Sequence, residues 1–294
     1  MTYDFLAVEP LSNEAVAEGL ARCFGLSVED VDVADEHTDQ DLRNWDAPIL
    51  CEKTTVRGDV TASLDIYAQE SVQSQPGEPD LAAAFACAVQ GVVLYPAEEI
   101  LPSAYWLAAD DGTVTRVRLL VTDDEDFSYA IDAVEAPVAR LPQAAVTRLP
   151  EIVREQRKPT PFADRFGDLL STLGTGNGDV PGALLWRARD CLGAWEELVR
   201  TMGDGWGPAG WYPAELYLER LEARDELEAV QQQLTPQAVE LLKPAVEPLD
   251  ERFEELTVQD DAWVAELTQS AKAGLTTSEG QGLWWQRRPD PLPW

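Results

Sequence analysis

Residues 104–134 read AYWLAADDGTVTRVRLLVTDDEDFSYAIDAV, and this stretch decides the fold class. Three runs, Ala104–Ala109, Val114–Val121 and Phe127–Val134, are rich in β-branched and aromatic residues, the composition of half-buried strands. ADDG separates the first two and TDDED the second and third, both of them turn chemistry. Three consecutive strands joined by short turns predict an antiparallel meander.

Working outward, Tyr3–Val8 alternates as a strand should, and LSNEAVAEGLARCFGL follows it. Its Ser/Asn opening is a helix cap, and Val16, Leu20, Cys23 and Phe24 recur at helical spacing. Ile49–Arg57 and Asp59–Tyr67 predict two more strands with Gly58 as their turn, and Leu81–Val89 predicts a helix buried on most sides. Residues 1–150 are thus expected to form an α+β domain with a largely antiparallel sheet and two helices. The segment EIVREQRKPTPFADR, 151–165, is locally basic and carries Pro159 and Pro161, which marks a boundary.

Beyond it the pattern turns helical, so 151–294 is expected to be a Trp-rich, mainly helical domain. PGALLWRARDCLGAWEELVRTM and PAELYLERLEARDELEAVQQQL each gather apolar residues on one face. Thr235-Pro236 has the cap and first-turn proline of a helix start, and Pro244 and Pro248 are expected to end or kink that helix. In GDGWGPAGWYP, the rings of Trp206, Trp211 and Tyr212 serve either as a recognition surface or as a plug in the interhelical core, and the plug is the expectation. The tail LWWQRRPDPLPW is expected to latch the second domain, with Trp284 and Trp285 on opposite faces of a closing strand and Arg287 and Arg288 paired to internal acids.

Charge bounds the function. The 294 residues hold 54 Asp plus Glu against 22 Lys plus Arg, a formal net charge of −32. Residues 1–150 carry 28 acids and 8 bases, net −20, and 151–294 carry 26 and 14, net −12. Such a surface repels phosphate backbones and anionic membranes and attracts basic proteins, unless the acidity serves only solubility. Direct nucleic-acid or membrane binding is therefore not expected. Cys23, Cys51, Cys87 and Cys191 form no CxxC pair and read as buried free thiols of a reducing compartment. With no secretory-type start, a cytoplasmic protein is expected.

Standard catalytic sets are hard to assemble. The single histidine, His37, lies in VADEHTDQD with no nucleophile-elbow motif and reads as an exposed loop residue. EDVDVADEHTDQD lacks the glycine and fifth-position oxygen of a calcium loop, and TDDEDFSYAID also lacks the glycine. GTGNGDVPG, 174–182, lacks the ending of a phosphate loop. No cofactor and no metal are expected. With 54 acids, chance carboxylate pairs carry no information about a hydrolase.

TYDFLAVEPLSNEAVAEGLARCFGL resembles the opening strand and helix of bacterial immunity proteins that protect a cell from polymorphic or contact-dependent toxins. VTRVRLLV and YAIDAVEAPVARLP fit the sheet of that pattern, and LDERFEELT followed by LWWQRRP is similar to the close of actinobacterial proteins of this kind. The resemblance implies a non-enzymatic protein that covers a toxin's active surface. A basic, nuclease-type toxin would be met fastest by acids in loops. The expected contact residues are Asp30, Asp32, Asp35, Glu36, Asp39 and Asp41, and Asp123, Asp124, Glu125 and Asp126. The alternative is a DNA mimic or accessory inhibitor of a nucleic-acid-binding enzyme in phage or host defence; a carboxylate-based hydrolase is the third.

Overall fold

The computed structural model describes residues 1–97, 101–122, 128–173, 182–207, 209–263 and 282–294. The chain divides into two compact units, Met1–Glu155 and Gln156–Trp294, the division falling inside the basic segment 151–165.

Unit 1 runs β1 (Thr2–Ala7), α1 (Asn13–Phe24), β2 (Val31–Ala34), β3 (Ile49–Thr55), β4 (Arg57–Gly58), β5 (Ala62–Ala68), α2 (Glu78–Val89), β6 (Val92–Pro96), β7 (Ala104–Ala109), β8 (Val114–Thr122), β9 (Ser128–Val134), β10 (Ala145–Val146) and α3 (Pro150–Glu155). Its ten strands form one mixed but mainly antiparallel sheet, ordered β10-β9-β8-β7-β6-β1-β5-β3-β2, with β4 paired to β9 off that path. The meander expected from 104–134 is present as β7-β8-β9, although 123–127, and with them the TDDED turn and Phe127, lie outside the described residues.

Helix α1 begins where Ser12 accepts a hydrogen bond from the Ala15 N–H at 3.2 Å and ends at Gly25, whose φ of +66° suits glycine. Its Gly19 lets α2 come close: a Cβ there would lie 2.8 Å from the Phe85 ring. Both helices cover one sheet face, where Tyr3, Phe5, Ile66 and Cys51 meet Leu20 and Phe85 in a single core. Helix α2 turns Ala84 and Cys87 outward, so it is buried on one face rather than on most sides. On the opposite sheet face, Leu94, Leu107, Val117 and Ile131 pack under Val138, Leu141 and Ala144.

Gly58 does not serve as a simple hairpin turn. It and Arg57 pair in parallel with Ser128 and Tyr129 of β9, and a Cβ at Gly58 would sit 1.9 Å from the Tyr129 carbonyl oxygen. The β3–β5 connection therefore extends as far as the hydrogen bond from Val56 N–H to Thr61 C=O.

Unit 2 consists of α4 (Pro161–Leu173), α5 (Gly182–Gly203), α6 (Ala214–Gln231), α7 (Pro236–Glu255) and a two-stranded ribbon of β11 (Thr257–Gln259) and β12 (Arg287–Pro289). Thr235 caps α7, accepting from the Ala238 N–H at 3.3 Å. Of the two outcomes expected, an end or a kink, the end does not occur: α7 continues through Pro244 and Pro248. Both prolines are exposed, as is Glu240, so carbonyls they leave unpaired can turn to water while Leu242, Val246, Leu249 and Phe253 hold the inner face.

The rings of the 203–213 loop are largely inside. Trp211 and Tyr212 are buried, and Trp206 lies 5.3 Å from Tyr212 and 6.5 Å from Tyr217, centroid to centroid. The tail is built into the same unit, but not as expected: Trp284 and Trp285 sit on a 3-10 turn, Leu283–Gln286, and the strand begins only at Arg287. A turn lets both indoles reach inward. Trp284 packs 6.3 Å from Trp195, and Trp285 donates its indole N–H to Asp225 at 2.6 Å. Arg288 pairs with Asp260 at 2.8 Å, whereas Arg287 donates to the Glu254 and Thr257 carbonyls where α7 ends.

All four cysteines are free; Cys51 and Cys191 are buried, Cys23 is partly so, and Cys87 is exposed, which corrects the expectation of four buried thiols. Burial pushes the Cys51 thiol up to about 12, too high for a reactive thiolate. Among the described residues no helix is long and apolar enough to cross a membrane.

Candidate functional site

The acidic segment 30–41 is more structured than its composition suggests. Asp32 lies on β2, with Asp30 and Asp41 in 3-10 turns. Asp30 accepts from the Ser27 N–H at 3.1 Å and closes a capping box. Asp32 binds the Arg43 Nε at 2.8 Å and the Asn44 N–H at 3.1 Å, and the Arg43 side chain is only 4% exposed. Asp35 accepts from Asn13 at 3.0 Å, Thr38 at 2.9 Å and the His37 N–H at 3.0 Å. Those hydrogen bonds, Asn13 first, hold its carboxyl below the usual carboxylate range. Asp39 caps the turn at Gln40–Leu42 through the Asp41 N–H at 3.0 Å.

Four of the six acids expected here as contacts, Asp30, Asp32, Asp35 and Asp39, therefore also hold the segment in shape. Glu36 and Asp41 are exposed, as are Glu29 and His37 beside them. The other four expected contacts, Asp123, Asp124, Glu125 and Asp126, lie outside the described residues, as does 174–181, most of the glycine-rich segment.

Strand register brings together a second set of acids that are far apart in sequence. Asp4 of β1 stands directly across from Asp65 of β5, and Asp65 directly across from Glu52 of β3. All three are exposed and share the sheet face opposite α1 and α2. With neighbouring strands about 4.8 Å apart, the row spans about 10 Å. Tyr67, 43% exposed, lies two residues along β5 on the same face.

The electrostatics of the row are unfavourable. Burial raises the Asp4 carboxyl above its ordinary value, and the Asp65 charge raises it further. Glu78 accepts the Asp4 backbone N–H at 3.2 Å, and its own carboxyl is raised, by burial first and by Asp4 as well. Four cations of unit 1 are committed elsewhere: Arg43 to Asp32, Lys53 to Asp35 on the helix face, Arg118 to Asp132 and Glu151, and Arg140 to Glu9 and Asp110. Among the described residues no three His, Cys, Asp or Glu side chains converge closely enough to hold a metal ion.

The sheet face that carries the row is therefore divided. Its β6–β9 half is apolar and covered by the 138–144 segment, while its β1-β5-β3 half carries exposed acids. Sequence reading missed the row because each strand shows a single outward acid, in TYDFLA, ILCEKTT and ASLDIYA; alternation gives the face, but only register aligns the three. No family model, curated protein or solved structure matches the chain.

Proposed function

We propose that the chain is a non-enzymatic binding protein that neutralises a basic protein by direct contact, as an immunity protein does its toxin. The opposed row Asp4–Asp65–Glu52 carries this reading. Like charges directly across a strand pair destabilise a sheet by about 0.2–1 kcal/mol, so the fold gains nothing from keeping three in line. A cationic partner surface reverses that sign, because each carboxylate then meets a lysine or arginine in a partly desolvated contact.

The exposed Tyr67 adds an aromatic anchor beside the acids, a residue type favoured at interface centres. The net charge of −32 supplies long-range steering toward a basic, nuclease-type effector. Glu36 and Asp41 are two further exposed acids of the same unit. The resemblance of the first strand and helix to bacterial immunity proteins supports a cytoplasmic protector of the producing cell.

The test is to express the chain together with cationic nuclease-type toxin domains, taking first any that is found encoded beside its gene, and to measure affinity at low and high salt. The expected result is protection by the full chain. A D4N/E52Q/D65N variant should keep its far-UV spectrum yet lose at least tenfold in affinity and part of its salt dependence. Failure to protect, or undiminished protection by that variant, removes the reading. Capture of a DNA-processing enzyme that duplex DNA then displaces would favour the charge-mimic alternative.

A further inference from the structure

The open half of the unit 1 sheet carries a second row beside the acids. Thr2 of β1 stands across from Tyr67 of β5, Tyr67 across from Leu50 of β3, and Leu50 across from Asp32 of β2. Each lies two residues along its strand from the level of Asp4, Asp65 and Glu52, so the two rows share one face about 7 Å apart. Val31 and Val33, which alternate with Asp32, point to the helix side instead.

Asp32 positions an aromatic ring at the end of this row. Its carboxylate binds the Arg43 Nε at 2.8 Å, and the Arg43 guanidinium lies 4.2 Å from the centre of the Trp45 ring. Gln69 donates to the Ala47 carbonyl at 2.8 Å and so ties down the backbone that follows Trp45. Among the described residues the exposed Trp, Tyr and Phe rings are Trp45, 56% exposed, Tyr67 and Trp186, and the first two stand at this row. A ring already held in place loses little freedom on binding, which suits it as an anchor. Tyr67, the half-buried Leu50 and Trp45 thus form an apolar strip alongside the acidic one.

Spacing decides what can lie on both strips. The acids recur about every 4.8 Å across the strands. Positions i, i+4 and i+7 of an α-helix fall at about 0, 6 and 10.5 Å along its axis, close to the length of the acid row. Alternate residues of an extended chain laid the same way fall about 6.7 Å apart and overrun it. A helix is also about 10–12 Å wide with its side chains, enough to cover both strips at once.

We propose that this face receives an amphipathic basic helix of the partner, lying across β1, β5 and β3. Its lysines or arginines at i, i+4 and i+7 meet Asp4, Asp65 and Glu52, and its adjoining apolar stripe rests on Tyr67, Leu50 and Trp45. The inference rests on the reading that the acid row docks a basic protein, and it adds the form of the docking segment and Trp45 as its anchor.

The experiment is titration calorimetry of the full chain, at physiological salt, with two peptides of about 18 residues, long enough to form a helix. Both contain the same lysines, leucines and glutamines; one sets them at helical spacing and the other alternates lysine with leucine. Equal charge gives both the same long-range attraction to the chain, so any difference reports spacing. The helical-spacing peptide is expected to bind at least tenfold more tightly and to gain helical circular dichroism on binding. A W45A/Y67A variant with an unchanged melting curve should weaken that binding at least tenfold, and so should D4N/E52Q/D65N. No saturable binding, equal binding of the two peptides, no gain of helix, or undiminished binding by W45A/Y67A would each overturn the helix; the docking face survives that result if a toxin domain still needs the three acids. Undiminished peptide binding by D4N/E52Q/D65N removes both.

Discussion

Residues 1–150 hold 28 acids and residues 151–294 hold 26, yet the two units place theirs differently. In unit 1 backbone polar groups are satisfied by the ladder of one large sheet, so an acid on a strand can simply face outward, as Asp4, Glu52 and Asp65 do. In unit 2 helix ends leave backbone groups without intrahelical partners, and at two of them charged side chains turn inward to meet those groups. Glu196, wholly buried, accepts the Phe162 and Ala163 N–H groups at 3.2 and 2.9 Å at the start of α4, and Arg287 meets the carbonyls where α7 ends. Glu196 works as an internal fastener of the helical unit; in the sheet unit the Asp4–Asp65–Glu52 row stays outside and available for a partner, while Asp30, Asp32, Asp35 and Asp39 fasten their own segment.

The sharpest way to break this comparison is at the centre of unit 2. Trp195 is the largest fully buried side chain, packed 4.7 Å from Phe253 and donating its indole N–H to Asp250 at 3.0 Å. Asp250 also receives two hydrogen bonds from Arg224, at 2.9 and 2.6 Å, with the Trp284 ring 4.2 Å away. Trp195→Ala is expected to cost about 3–5 kcal/mol, seen as an early loss of tryptophan fluorescence in urea. That signal follows unit 2, since eight of the ten tryptophans lie beyond residue 180.

A smaller effect is expected at the fastener of the tail. Asp225 holds the Gly282 N–H at 3.0 Å and the Trp285 indole at 2.6 Å, and the Trp285 carbonyl in turn accepts from the Trp263 indole at 2.9 Å. Asp225→Ala leaves two donors without their acceptor and should cost about 1–3 kcal/mol. A urea midpoint equal to that of the parent chain would show the tail to be merely resting on unit 2.

How much of this was legible in the sequence follows the same division. The meander 104–134, α1 with its Ser12 cap and the Thr235 start of α7 could be read because capping and alternation are local. The β4–β9 pairing at Gly58 could not, since it joins residues about seventy positions apart. Pro244 and Pro248 do not end α7, because the freed carbonyls lie on an exposed side of the helix where water can meet them. The 30–41 acids were visible as a run, but their partners Asn13, Arg43 and Thr38 were not, so a set that also has structural roles looked wholly free. The Asp4–Asp65–Glu52 row needed strand register, which no window of sequence contains.

The smallest effect sharpens the comparison most, because its sign is opposite to the others. Asp65→Asn should stabilise the chain by about 0.2–1 kcal/mol, by relieving repulsion from both Asp4 and Glu52. The pH dependence follows from the directions of shift. Asp4 and Glu78 have raised carboxyls, so the folded state takes up their protons first. Their penalty is absent below the ordinary carboxylate value and appears as pH rises through the raised one. Asp35, Asp110 and Asp132 are shifted down, so their contribution is present above the ordinary carboxylate value and lost as pH falls toward the lowered ones. Stability followed by far-UV circular dichroism should therefore rise slightly as pH falls from 7 toward the raised carboxyls, then drop at lower pH. In Asp65→Asn the rise should shrink while the drop remains. If Asp65→Asn instead destabilises the chain, the row is a structural element of unit 1, and its acids are fasteners like those of unit 2.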